Sequence, residues 1–142
     1  MRPLRVAVAT MTLAVVAGCG GTAPTPAATP VASGAAGPSI TGSLAPGKAT
    51  VSANGTTTHV EGLGNATSAK FDLPAGDVAM AVSTCSSNGV IPFVWVYDAG
   101  SNMVGIVTEQ TYLLPHLKGG AYYLTVAANP DCGWAVEMAA KP

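Results

Sequence analysis

The stretch Asp77–Thr84, DVAMAVST, decides the fold. Val78, Met80 and Val82 fall on one face, and Ala79, Ala81 and Ser83 on the other. A period of two is the signature of a β-strand with one buried side. Next comes Ile91–Asp98, IPFVWVYD, a continuous run of β-branched and aromatic residues. Such a run predicts a strand buried on both faces. Upstream, KATVSA (48–53) and TTTHVEG (56–62) flank Asn54-Gly55, a strong two-residue hairpin signal. ATSAKFDL (66–73) leads to a turn at Pro74-Ala75-Gly76. Downstream, Gly100-Ser101-Asn102 makes a turn, and NMVGIVTE (102–109) and a short piece at TYLL (111–114) follow it. A turn is expected at Lys118-Gly119-Gly120, and AYYLTVAA (121–128) and CGWAVEMA (132–139) close the chain. No segment shows a 3.6-residue apolar stripe over three turns. About eight short strands with turn signals between them predict an all-β fold, an antiparallel β-sandwich of jelly-roll-like form.

The two halves of this region echo each other. Phe71-Asp72-Leu73-Pro74-Ala75-Gly76 precedes one alternating strand, and Leu114-Pro115-His116-Leu117-Lys118-Gly119-Gly120 precedes another. Each half runs toward a Cys and contains a strand with a central Trp, Trp95 or Trp134.

Composition narrows the functional classes. The chain has 142 residues, 49% hydrophobic and only 9% charged, with a formal net charge of −1. A soluble domain averages about 25% charged residues. Six Lys+Arg without a cluster exclude electrostatic nucleic-acid binding. No Ser-His-Asp set with a recognisable context and no HExxH motif is present. The reading is therefore non-enzymatic, with no cofactor and no metal site.

The N-terminus carries the clearest address. Arg2 and Arg5 precede an uncharged stretch, Val6–Gly18. Thirteen residues are too few for a membrane-spanning helix, which needs about 20, and fit the apolar core of a secretory signal. The stretch ends in Val16-Ala17-Gly18-Cys19, which resembles the bacterial lipobox: an aliphatic residue, two small residues, then Cys. The resemblance implies cleavage after Gly18 and acylation of Cys19 with diacylglycerol and palmitate-type chains. An ordinary cleaved signal with an incidental Cys and a retained signal anchor are the alternatives. Loss of residues 1–18 leaves four Lys and seven acids, a net charge of −3. Two or three acyl chains hold a protein durably on a membrane. The implied location is extracytoplasmic: the outer face of the cytoplasmic membrane, or the outer membrane of a Gram-negative cell, since no retention Asp follows Cys19. Residues 19–47 form a Pro/Ala/Thr/Gly-rich tether too poor in apolar periodicity to fold alone, and residues 48–142 form the β domain.

Outside the cytoplasm disulfides persist. Cys85 and Cys132 then have one intramolecular pairing open to them, each at a strand end. The bridge closes a 47-residue separation, worth roughly 4 kcal/mol in the loop-entropy model.

Three segments, Phe71–Asp77, Val94–Gly100 and Leu117–Val126, resemble the bacterial pre-peptidase C-terminal (PPC) domain. The likeness covers about residues 66–139 and implies a β-sandwich. An acidic residue usually precedes the family's central strand, and Ile91-Pro92-Phe93 stands there instead, so a cation site is not carried over.

Phe93, Trp95 and Tyr97 share one strand face at period two. They form either a sugar-stacking platform or a core aromatic face, and the flanking valines favour the core. Trp95, Tyr97 and Tyr122 are the candidate ligand contacts. Tyr122 and Tyr123 must point to opposite faces. Turn aspartates such as Asp98 are expected to bond their own backbone, and Ser83 and Ser86 to supply loop polarity. The functional expectation is a non-catalytic binding or interaction module on a lipid anchor, with a carbohydrate or protein partner. A structural subunit of an envelope or secretion complex is the alternative, and a small hydrolase the third reading.

Overall fold

A computed structural model describes residues 37–142. They are all-β. Seven strands occur among them, β1 (Pro46–Asn54), β2 (Thr57–Thr67), β3 (Phe71–Val82), β4 (Phe93–Asp98), β5 (Met103–Val107), β6 (Thr111–Ala127) and β7 (Gly133–Ala140). All pairings are antiparallel, in the order β1-β2-β7-β3-β6-β4-β5. The end of β6 also returns to β2, with Ala66 opposite Val126 and Thr67 opposite Thr125. The pairings β2–β7–β3–β6–β2 therefore close a ring, and β4 and β5 extend from the other side of β6. This is compatible with a sandwich, because β3 and β6 each serve both parts.

The nine strand-like segments become seven strands, against about eight expected, because two expected turns are bends inside long strands. Pro74–Gly76 lies within the 12 residues of β3, and Lys118–Gly120 lies within the 17 residues of β6. The two bends are cross-strand partners: Leu73 pairs with Gly120, Ala75 with Lys118 and Gly76 with Leu117, and a register shift follows. The echo between the halves thus becomes one shared corner. Gly76 and Gly119 have φ of +105° and +75°, where a side chain is strained. A Cβ on Gly119 would also sit 3.0 Å from the Ala75 nitrogen. The Asn54-Gly55 signal does mark a hairpin, with Asn54 opposite Thr57 and Gly55 at φ +62°.

Val78, Met80 and Val82 are buried as their alternation predicts. Val60, Val94, Val96, Leu114, Leu124, Val126, Val136 and Met138 complete the centre. Trp134 is fully buried: its Nε1 donates to the Gly64 carbonyl at 2.9 Å, and its ring occupies the space that a side chain at Gly62 would need. The Cys85–Cys132 disulfide is formed. Its position follows from the β3–β7 ladder, which continues past the end of β3. The Ser83 N–H donates to Ala135 O, and the Ser86 N–H to Gly133 O, which carries Cys85 alongside Cys132. Ser83 Oγ and Ser86 Oγ accept from the N–H groups of Ala135 and Gly133, so these serines stitch the ladder as well as polarising a loop.

The expected boundary at Lys48 falls inside β1, and packing begins earlier. Pro38 is buried and Ile40 and Leu44 are half-buried, both close over Gly133. The Thr41 N–H donates to the Glu61 carboxylate at 2.6 Å.

Candidate functional site

Strand β4 differs from its expected double burial. Val94 and Val96 are fully buried, whereas Phe93 is 54% exposed and Trp95 and Tyr97 are half-buried. The aromatic face turns outward and the valine face forms core, the reverse of the assignment that the flanking valines favoured. The reason is side-chain economy. The compact, β-branched valines join the core cluster, and the larger rings of Phe93, Trp95 and Tyr97 keep part of their surface in solvent.

The neighbouring strands extend this face through register. On β6, Ala127, Thr125 and Tyr123 stand opposite Phe93, Trp95 and Tyr97. On β5, Ile106 stands opposite Trp95 and Met103 opposite Tyr97. The Phe93 and Trp95 rings are 6.2 Å apart, inclined by 22°. Tyr97 and Tyr123 are 5.1 Å apart, inclined by 14°. Four aromatic rings thus form two near-parallel pairs along one sheet surface. Ile106 and Met103 border them on one side, exposed by 44% and 53%. Thr125 and Thr67, with hydroxyls 3.3 Å apart, border the other. Phe93 also lines a hollow of about 330 Å³ with Asn65, Asn88, Val90, Pro92 and Asn129. The amides there supply neutral donors and acceptors beside the rings.

At the far end the Asp98 carboxylate folds onto its own turn. It accepts from the Gly100 and Asn102 N–H groups, both at 2.9 Å, and from Asn102 Nδ2. These bonds, the Asn102 side chain first, hold its carboxyl below the usual range. Its charge is therefore directed into the turn.

The candidate residues separate cleanly. Trp95 and Tyr97 lie together on the outer face. Tyr122 is 4% exposed and packs in the core, so the outward place belongs to Tyr123. Alternation required one of the two to face out, but only the pairing with Tyr97 decides which. Sequence reading passed over Met103 and Ile106 as site residues; the signal available was the uncharged run Met103–Val107. Cys19 lies outside the described residues.

A polar cluster sits apart from the rings. His59 Nε2 is 3.3 Å from Glu61 Oε2, and its Nδ1 is 3.5 Å from Glu137 Oε1. Both ring nitrogens face carboxylates, so neither is aimed at a hydroxyl as a nucleophile-activating base would be. Glu61 is 4% exposed. Burial alone would raise its carboxyl, but the bonds from Thr41 and His59 outweigh that and bring it below its ordinary 4.5. His116 is exposed; its backbone N–H donates to Asp77 Oδ1 at 2.9 Å. Among the described residues no group of three or more His, Cys, Asp or Glu is placed to hold a metal ion.

No protein-family model, curated protein or solved structure matches the chain.

Proposed function

We propose that this chain is an extracytoplasmic lipoprotein, held on a membrane through acylated Cys19, whose β domain is a non-catalytic binding module. The outward aromatic row Phe93-Trp95-Tyr97-Tyr123 carries this reading, because solvent-facing rings cost free energy unless they meet a ligand. Carbohydrate is the first ligand class. The rings offer flat apolar faces, Thr67, Thr125 and the amides of the adjacent hollow offer neutral hydrogen-bonding groups, and the row itself bears no charge. The arrangement of His59 between two carboxylates supports a non-catalytic role. A structural role in an envelope complex is the second reading, favoured by the exposed aliphatic border of Met103 and Ile106.

Titration with neutral oligosaccharides, followed by tryptophan emission, tests the first reading. Trp134 is sealed in the core and serves as a constant background, so a ligand on the row changes Trp95 alone. Tyr97→Ala, read by Trp95 emission, and Trp95→Ala, read by calorimetry because it removes the reporter, are each expected to weaken binding at least tenfold, about 1.4 kcal/mol. Saturable sugar binding that is untouched by both substitutions would sink the proposed site. Absence of sugar binding, with photo-crosslinking from position 95 to an envelope protein, would favour the second reading.

A further inference from the structure

The chain holds two Asn-Gly steps, Asn54-Gly55 and Asn88-Gly89. Such a step is reactive because a glycine nitrogen, uncrowded by any Cβ, can attack the preceding asparagine's side-chain amide. All four residues are exposed, and a Cβ added at either glycine would meet open space. Solvent and room are therefore alike at the two steps, and the hydrogen bonds differ. The Gly89 N–H donates to the Cys85 carbonyl at 2.9 Å, and the Val90 N–H donates to Asn88 Oδ1 at 3.0 Å. The Cys85 N–H closes the same loop onto Val90 O at 2.7 Å, and the Cys85–Cys132 disulfide anchors it. Both reacting groups of the second step are thus held. At the first step, neither the Asn54 side chain nor the Gly55 N–H has a hydrogen-bond partner among the described residues. Asn54 pairs with Thr57 as the last rung of β1 and β2, and strand ends open at the lowest cost.

We infer that Asn54 is a site of spontaneous modification by water, losing its amide through a succinimide, while the fold keeps Asn88 intact. The Gly55 nitrogen gives its proton to hydroxide or water and forms a bond to Asn54 Cγ. The Cγ–Nδ2 bond breaks, and the leaving nitrogen takes up a proton and departs as ammonia. Water then opens the ring. Attack at Cγ restores an ordinary main chain with an aspartate at position 54. Attack at the main-chain carbonyl carbon leaves an isoaspartyl link, whose main chain is one carbon longer. No oxidant or reductant takes part. Either product brings a negative charge to the hollow of about 610 Å³ that Asn54 shares with His59 and Glu137. The isoaspartyl form also cannot keep position 54 in register with Thr57, so the hairpin loses its last rung. At Asn88 the same reaction must first break the bond from Gly89 to Cys85 and turn the side-chain carbonyl away from Val90.

The test incubates the complete chain, folded in detergent at pH 8, and follows both positions by peptide mass spectrometry with fragmentation that separates aspartyl from isoaspartyl products. The expected result is conversion at Asn54 at least tenfold faster than at Asn88, into a mixture of the two forms. In urea, where the loop bonds at Gly89 and Val90 are gone, the two sites should react at similar rates. Asn54→Gln should abolish the change at position 54 and leave the slow change at Asn88 as it was. An asparagine that stays intact at position 54 in the folded chain overturns the proposal, because the hairpin then protects it. Similar rates at the two sites in the folded chain overturn the protection assigned to Asn88. An aspartyl product without the isoaspartyl form overturns the succinimide route. A tenfold difference that persists in urea traces to local sequence rather than to the fold, and overturns it as well.

Discussion

Glu61 shows how one side chain ties sequence to stability. It is an outward position on β2, yet it is buried, because the segment carrying Pro38, Ile40 and Thr41 lies over it. Its carboxylate accepts from the Thr41 N–H and hydroxyl and from His59. Replacing it with Ala removes the acceptor of the Thr41 and His59 donors, which water reaches in part, at a cost of about 1 kcal/mol. Its folded carboxyl lies below the unfolded value. The stabilisation is therefore fully present above pH 4.5 and is lost as pH falls through the lowered folded value. Urea melts at pH 7 and pH 3 check this: Glu61→Gln should show a smaller loss between the two than the parent protein. An equal loss in both would assign the acid sensitivity to other groups. None of this was legible in the sequence, where Glu61 is a single acid in a polar strand. Asp98 is the converse case. Its place before Ala99-Gly100 announced a self-bonded turn, because that bonding is local.

Among the elements, β3 and β6 carry the structure. Their alternating stretches were readable, and Val78, Met80 and Val82 fall where the period of two puts them. Their full lengths were not, because Pro and Gly mark turns and bends with the same residues. Which one forms depends on the strand alongside, and here two glycine-rich bends meet at one level. Gly119→Val should destabilise the fold by about 1–2 kcal/mol for the left-handed backbone alone, with more from the contact with Ala75. Thermal unfolding measures it, and a Tm within about a degree of the parent would show that the corner can relax. Reduction of Cys85–Cys132, or replacement of both by Ala, should cost roughly 4 kcal/mol by the loop-entropy model. Chemical denaturation with and without reductant measures that difference. This pairing was legible once Cys19 is assigned to the proposed lipid anchor, which leaves two thiols, whereas its exact location required the β3–β7 ladder.

At the scale of the whole molecule, the proposed lipoprotein divides between an anchor at Cys19 and a domain that turns a ring-lined face outward. Cys19→Ala should move the protein from the detergent phase to the aqueous phase in phase-partitioning, and continued partition into detergent after processing would remove the anchor. A fragment beginning at Lys48 lacks Pro38, Ile40 and Thr41, and should unfold at lower denaturant than one beginning at Gly37. By itself the sequence determined that the described chain is all-β, with an inner face on β3, since periodicity is local; the disulfide followed from it only with Cys19 reserved for the proposed anchor. The tertiary structure decided that the rings of β4 face out, that Tyr122 is core and Tyr123 surface, and that β1 and β5 end the sheet. Alternation fixes which side chains share a face. Only the packing of one strand against the others fixes which of the two faces water reaches.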